Sequence, residues 1–177
     1  MILKVFAIIT LLIAAVLIYA ATRPNTLRIQ RSIDIQAPPE KIFALIDDFH
    51  NWPLWAPQDR EDPTMRRTYS GSERGKDAIS EWSGTGQSGR GSMSITESVP
   101  PARVLVTADS IRPLRAHNLN EFALESRGAQ THVTWTWTMQ GRSLYIMNVM
   151  GIFVNMDKSM GKHFESGLQN LKSIAER

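Results

Sequence analysis

The chain has 177 residues, 42% of them hydrophobic, with 20 basic against 17 acidic side chains and a formal charge of +3. It carries no cysteine, which excludes disulfide support and thiolate chemistry. Its basic residues are scattered through Arg66-Arg67, Arg74-Lys76 and Arg112/Arg115 rather than gathered in a stripe, which argues against nucleic-acid binding.

Ile2 to Ala21 is an apolar run interrupted only by Lys4. As a helix it spans roughly 30 Å, the thickness of a bilayer's hydrocarbon core, with Lys4 at one interface and Tyr19 at the other. The expectation is a transmembrane anchor over residues 1–22, in membrane contact through residues 2–21, and a single-pass location in a bacterial inner membrane. A cleaved secretory signal is the alternative, but it puts Ile18 or Tyr19 where cleavage wants a small side chain. Lys4 on one side and Arg23, Arg28 and Arg31 on the other leave the orientation open.

Residues 23–177 suffice for one domain with a real core. Leu27–Gln36 alternates apolar and polar residues, the mark of a half-buried strand. Ala37-Pro38-Pro39-Glu40 opens a helix, since proline tolerates the first turn and Glu40 suits the positive end of the dipole. Ile42, Leu45, Ile46 and Phe49 form its apolar face; Asp47-Asp48 end it, and a turn carries Trp52-Pro53-Leu54-Trp55-Ala56-Pro57. Strand patterns follow at Thr64–Ser70, Asp77–Ser83, Gly89–Glu97, Arg103–Asp109, Asn118–Glu125 and Thr131–Met139. Their short connections imply an antiparallel meander. The period then changes to three and four across Phe153, Met156, Met160, Phe164, Leu168, Leu171 and Ile174, a long amphipathic helix in which Gly161 and Gly167 permit close approach to the sheet.

This order of elements resembles the START-like superfamily called SRPBCC, and within it the polyketide cyclase/dehydrase and lipid-transport branch. The motifs that carry the resemblance are Ala37-Pro38-Pro39-Glu40, Trp52…Trp55-Ala56-Pro57, Gly89–Ser98 with Pro100-Pro101, Asn118…Glu121–Glu125, Thr131–Gly141 and Gly151…Leu171. It implies an α+β helix-grip fold, a curved antiparallel sheet around a long C-terminal helix, here preceded by the transmembrane helix. It also implies an apolar cavity between sheet and helix that binds lipids, sterols or polyketides.

The residues expected to line that cavity are Trp52 and Trp55 on the early turn, Trp82, Met93, Ile95, Phe122, Leu124, Trp135, Trp137 and Met139 on strands, and Phe153, Met156, Met160 and Phe164 on the helix. Eight methionines supply flexible thioethers that repack around varied apolar ligands. Catalytic candidates are Glu97, of the same parity as Met93 and Ile95, and His117 near a strand end. The four histidines are dispersed without ligand spacing, so neither a metal nor a cofactor is expected. Three functions fit: a membrane-anchored, non-catalytic binder of a hydrophobic small molecule, a cyclase- or dehydratase-like enzyme, or a co-chaperone-like interaction module. Oligomeric state is not legible in the sequence.

Overall fold

The computed structural model describes residues 2–22, 26–57, 62–85, 89–112, 115–140 and 155–177. Helix α1 covers Ile2–Ala21 and leaves Phe6, Leu11 and Ile18 among its exposed apolar side chains. The single-pass membrane location, and the membrane contact through residues 2–21, are corrected here. Among the described residues no helix is long and apolar enough to cross a membrane.

The strands are β1 (Thr26–Ile35), β2 (Arg66–Gly71), β3 (Ala78–Ser83), β4 (Arg90–Val99), β5 (Arg103–Arg112), β6 (Ala116–Arg127) and β7 (Gln130–Gln140). They form one antiparallel sheet in the order β1-β7-β6-β5-β4-β3-β2. The meander from β2 to β7 follows from its short turns, and β1 closes on β7 with Ile29 opposite Trp137 and Ile33 opposite Val133. Between β1 and β2 lie α2 (Pro39–Ile46), a 3₁₀ turn (Phe49–Asn51) and α3 (Trp52–Trp55). Pro39 sits in the first turn of α2, Asp47 caps its end, and the Asp48 carboxylate accepts from the His50 amide at 2.8 Å.

The closing helix α4 (Met156–Ala175) is capped by Asn155, whose side chain accepts from the Lys158 amide. It lies on the inner face of the sheet, against β1 and α3. Its C-terminal end is fixed by Lys172 Nζ donating to the Asp34 carbonyl at 2.8 Å and by Asn170 Nδ2 donating to the Trp55 carbonyl at 3.1 Å. Its N-terminal end is fixed by Arg31, which donates to Asp157 at 3.0 Å and to Glu165 at 2.7 Å. Gly161 makes room for that guanidinium, because a Cβ there would overlap Arg31. At Gly167 a Cβ would stand 2.9 Å from the Trp135 ring, so both glycines serve the close approach read from the sequence.

The core is divided unevenly along the strands. Where α2, α3 and the C-terminal half of α4 cover the sheet, Ile35, Ile42, Ile46, Trp55, Ile95, Val104, Phe122, Leu168 and Leu171 pack with essentially no exposure. Trp52 and Trp55 turn their indole N–H groups onto the Ile46 and Leu45 carbonyls, at 2.9 and 3.0 Å, and so tie α3 back to α2. Among the described residues, the other half of the inner face has no such cover.

Candidate ligand cavity

That uncovered half is a cavity of about 520 Å³, within the ~300–1,000 Å³ usual for small-molecule sites. Trp135 and Trp137 of β7, Trp82 of β3 and Met93 of β4 form its sheet wall, and Met160 and Phe164 of α4 face them. Trp52 closes it toward the core, and Met65 lies at its rim before β2. Gly91 is needed here: the Trp82 ring lies across β4 in the space a Cβ would take.

Seven of the expected lining residues therefore meet around one space: Trp52, Trp82, Met93, Trp135, Trp137, Met160 and Phe164. Five do not line it. Ile95, Phe122 and Leu124 have the right facing but are packed into the core together with Trp55 of α3, and Met139 is buried in the same core. Phe153 and the side chain of Met156 lie outside the described residues.

The lining also has a polar component that hydrophobic patterning missed: Arg67, Ser110, Asn118, Asn120, Ser159 and His163. The signal for two of these is strand parity, since Asn118 and Asn120 fall on the same face as Phe122 and Leu124. Arg67 donates to Ser80 Oγ at 3.1 Å. Asn120 Oδ1 accepts from Trp135 Nε1 at 3.0 Å, both groups buried, and this bond orients the indole at the junction of cavity and core. Around Trp135 stand Phe164, Phe122 and Trp55, with ring centroids 4.6, 5.0 and 5.9 Å away.

The catalytic candidates fall elsewhere. The pairing of β4 with β5 skips a residue between Ile95 and Glu97, so the parity that pointed Glu97 inward is broken. Glu97 sits opposite Leu105 and pairs with Arg103, whose proton this carboxylate holds more tightly than usual. Ser98 takes the inward place and donates to Asp47 Oδ1 at 2.7 Å. Burial pushes the Asp47 carboxyl above its ordinary range, a shift the Ser98 bond opposes. His117 is exposed and bonded to Asp109 at 2.7 Å. Neither Glu97 nor His117 lines the cavity. Among the described residues, no group of three or more His, Asp or Glu side chains is arranged to hold a metal ion.

A family model described as polyketide cyclase / dehydrase and lipid transport matches residues 26–176. No curated protein sequence matches the chain. Among solved structures, a protein from Chromobacterium violaceum superposes with a TM-score of 0.59 at 14% identity, over 87% of this chain and 99% of that one. The ginseng major latex-like protein 151 from Panax ginseng gives a TM-score of 0.60 at 11% identity, covering 87% and 100%. The di-domain ARO/CYC BexL from the BE-7585A biosynthetic pathway gives 0.61 at 14% identity, covering 90% of this chain. This chain spans 53% of BexL. At these identities the likeness is one of fold.

Proposed function

We propose that this chain, which belongs to the polyketide cyclase / dehydrase and lipid transport family, uses residues 23–177 to bind a hydrophobic small molecule and does so without catalysis. The observation that carries the reading is the half-covered inner face. The fold buries a core under α2, α3 and the end of α4, yet leaves about 520 Å³ beside it under four tryptophans, the half-buried Met93 and Met160 of sheet and helix, and Phe164. A space of that size lined by aromatic and thioether groups suits an apolar guest. Neither catalytic candidate read from the sequence, Glu97 or His117, lines the cavity, which favours holding a guest over bond-breaking.

Native mass spectrometry of the full chain after incubation with a bacterial lipid extract tests this. One small-molecule adduct per chain is expected, and Ala108→Trp, which fills the cavity from β5, should abolish it with the fold retained. A wild-type chain that stays empty across extracts of different composition refutes the reading.

A cyclase- or dehydratase-like activity is favoured by one observation: Arg67 of β2 and His163 of α4 bring a cation and an imidazole to the lining of the same cavity. Recovery of a polyketide chemically altered after incubation supports it. Recovery of the molecule unchanged supports binding alone.

A further inference from the structure

The outer face of the sheet, turned away from the cavity, carries a second recess of about 400 Å³. Arg66, Thr68, Glu81, Ser83, Arg90 and Ser92 supply its polar groups. The register aligns them: Arg66 is opposite Ser83, Ser83 opposite Arg90, and Arg90 opposite Arg112, one row across four strands. The sheet thus gathers three arginines that lie far apart in the sequence. Arg31, Arg103 and Arg127 each hold a carboxylate, on Asp157, Glu97 and Glu125. Arg66 donates instead to the carbonyl of its neighbour Met65 at 3.5 Å. Among the described residues neither it nor Arg90 nor Arg112 is in an ion pair. Asp109, opposite Ser92, is engaged by His117. Like charges directly opposite one another on a ladder cost stability, so Arg90 and Arg112 stand against the local rule until an anion joins them.

We infer that this row is a binding site for a phosphate group. Adjacent strands lie roughly 4.8 Å apart, which sets the backbones of Arg66 and Arg90 about 10 Å apart on either side of Ser83. Serine is short, so the two long side chains can lean over it and meet on one anion. Guanidinium groups present paired N–H donors, a geometry that phosphate oxygens accept. The hydroxyls of Thr68, Ser83 and Ser92 are further donors in the same recess. Glu81 is the acid of the lining and works against a bare anion. It can accept from a hydroxyl on the rest of the ligand, so the class that fits is a phosphate ester with hydroxyls on its organic part. The site lies across the sheet from the apolar cavity, and it stands or falls independently of the hydrophobic-ligand reading.

The test is isothermal titration of the full chain with glycerol 3-phosphate at neutral pH and about 0.15 M salt, with glycerol as the blank. The phosphate ester is expected to bind and glycerol is not. Arg66→Gln and Arg90→Gln should each weaken binding about tenfold, the loss of one charge-assisted contact. Both side chains are exposed, so the variants keep the fold. Glu81→Gln should tighten the binding of inorganic phosphate, which has no organic part for the carboxylate to hold. Arg28→Gln removes the same charge from β1 and should change nothing; a loss equal to that of Arg90→Gln would mark a general charge effect and overturn the site. A second arm sediments the chain with phosphatidylcholine vesicles, with and without phosphatidic acid. Sedimentation that needs phosphatidic acid and is lost in Arg90→Gln, without a response to the soluble ester, supports the phosphate site and puts its phosphate on a lipid headgroup. No response in either arm overturns the inference and leaves the reading of the apolar cavity untouched.

Discussion

The Trp135–Asn120 bond offers the sharpest test of how this cavity is built. Both residues are buried, at 2% and 6% exposure, and the bond is 3.0 Å long. Trp135→Phe removes the donor and strands Asn120 Oδ1, at about 1–3 kcal/mol, and the smaller ring forfeits roughly a further 1 kcal/mol of burial. The single variant is therefore expected to lose about 2–4 kcal/mol, which in a chain of this size lowers Tm by roughly 4–16 °C. Asn120→Leu strands the indole N–H in its turn and loses about 1–3 kcal/mol. In the double variant no polar group is left unpaired. It should be less destabilised than the two single losses added together, by about 1–3 kcal/mol. Urea unfolding of the four proteins measures the coupling. Additivity to within about 0.5 kcal/mol would refute the claim that the two side chains satisfy each other.

Gly161→Ala should forfeit the gain of about 1 kcal/mol usual for alanine in a helix, because the new methyl evicts Arg31 from its place; the gain should return in an Arg31→Met background, and an equal effect in both backgrounds, by thermal melting, sinks the argument. Acid should reveal two opposed carboxylates. The hydrogen bond from Arg31 holds the Asp157 carboxyl below its ordinary range, so its contribution is full above the unfolded value near 3.9 and fades as pH falls through the folded one. Asp47 is raised by burial, so its charge opposes folding at neutral pH and that opposition is relieved on acidification. Asp157→Asn should flatten the acid-side loss of Tm, whereas Asp47→Asn should gain on wild type at neutral pH and lose that advantage toward about pH 3; parallel curves for either variant contradict its assignment. Glu97→Gln and His117→Ala should leave the small-molecule adduct seen by native mass spectrometry at wild-type occupancy, as both lie off the cavity, and its loss in either would return them to the site.

Strand parity was the strongest signal in the sequence, and it was enough for the sheet. The alternation Val133, Trp135, Trp137, Met139 names the inner face of β7 without error, and the period change after it announces α4. Parity says which face a residue takes but not how far along the strand the covering helices extend. Phe122 and Asn120 are equivalent by period, yet one is core and the other lines the cavity, because α3 covers the sheet only so far. A bulge is equally invisible, for nothing in Ile95-Thr96-Glu97 announces the skipped partner that turns Glu97 outward. The polar lining was missed for a different reason. Hydrophobic patterning weighs Asn118 and Asn120 as interruptions, although on an inward-facing strand position a lone amide is the informative residue. The apolar run at the N-terminus shows the converse error, since composition alone carried the membrane expectation and among the described residues no helix meets it.

The split of the inner face separates two kinds of selection. On the binding function proposed above, substitutions at Trp82, Met93 or Ala108 should alter what the protein recognises while touching few of the side chains that hold it together. Those at Ile42, Ile95, Phe122 or Leu168 do the opposite. A sheet arranged in this way tolerates changes of guest at one end while the other keeps its fold. Trp135 is the exception, because it belongs to both ends: a guest pressed against its face leans on the same ring that packs against Phe122 and Trp55. Occupancy should therefore be felt in the core as added rigidity, and a drifting lineage should change Trp135 last.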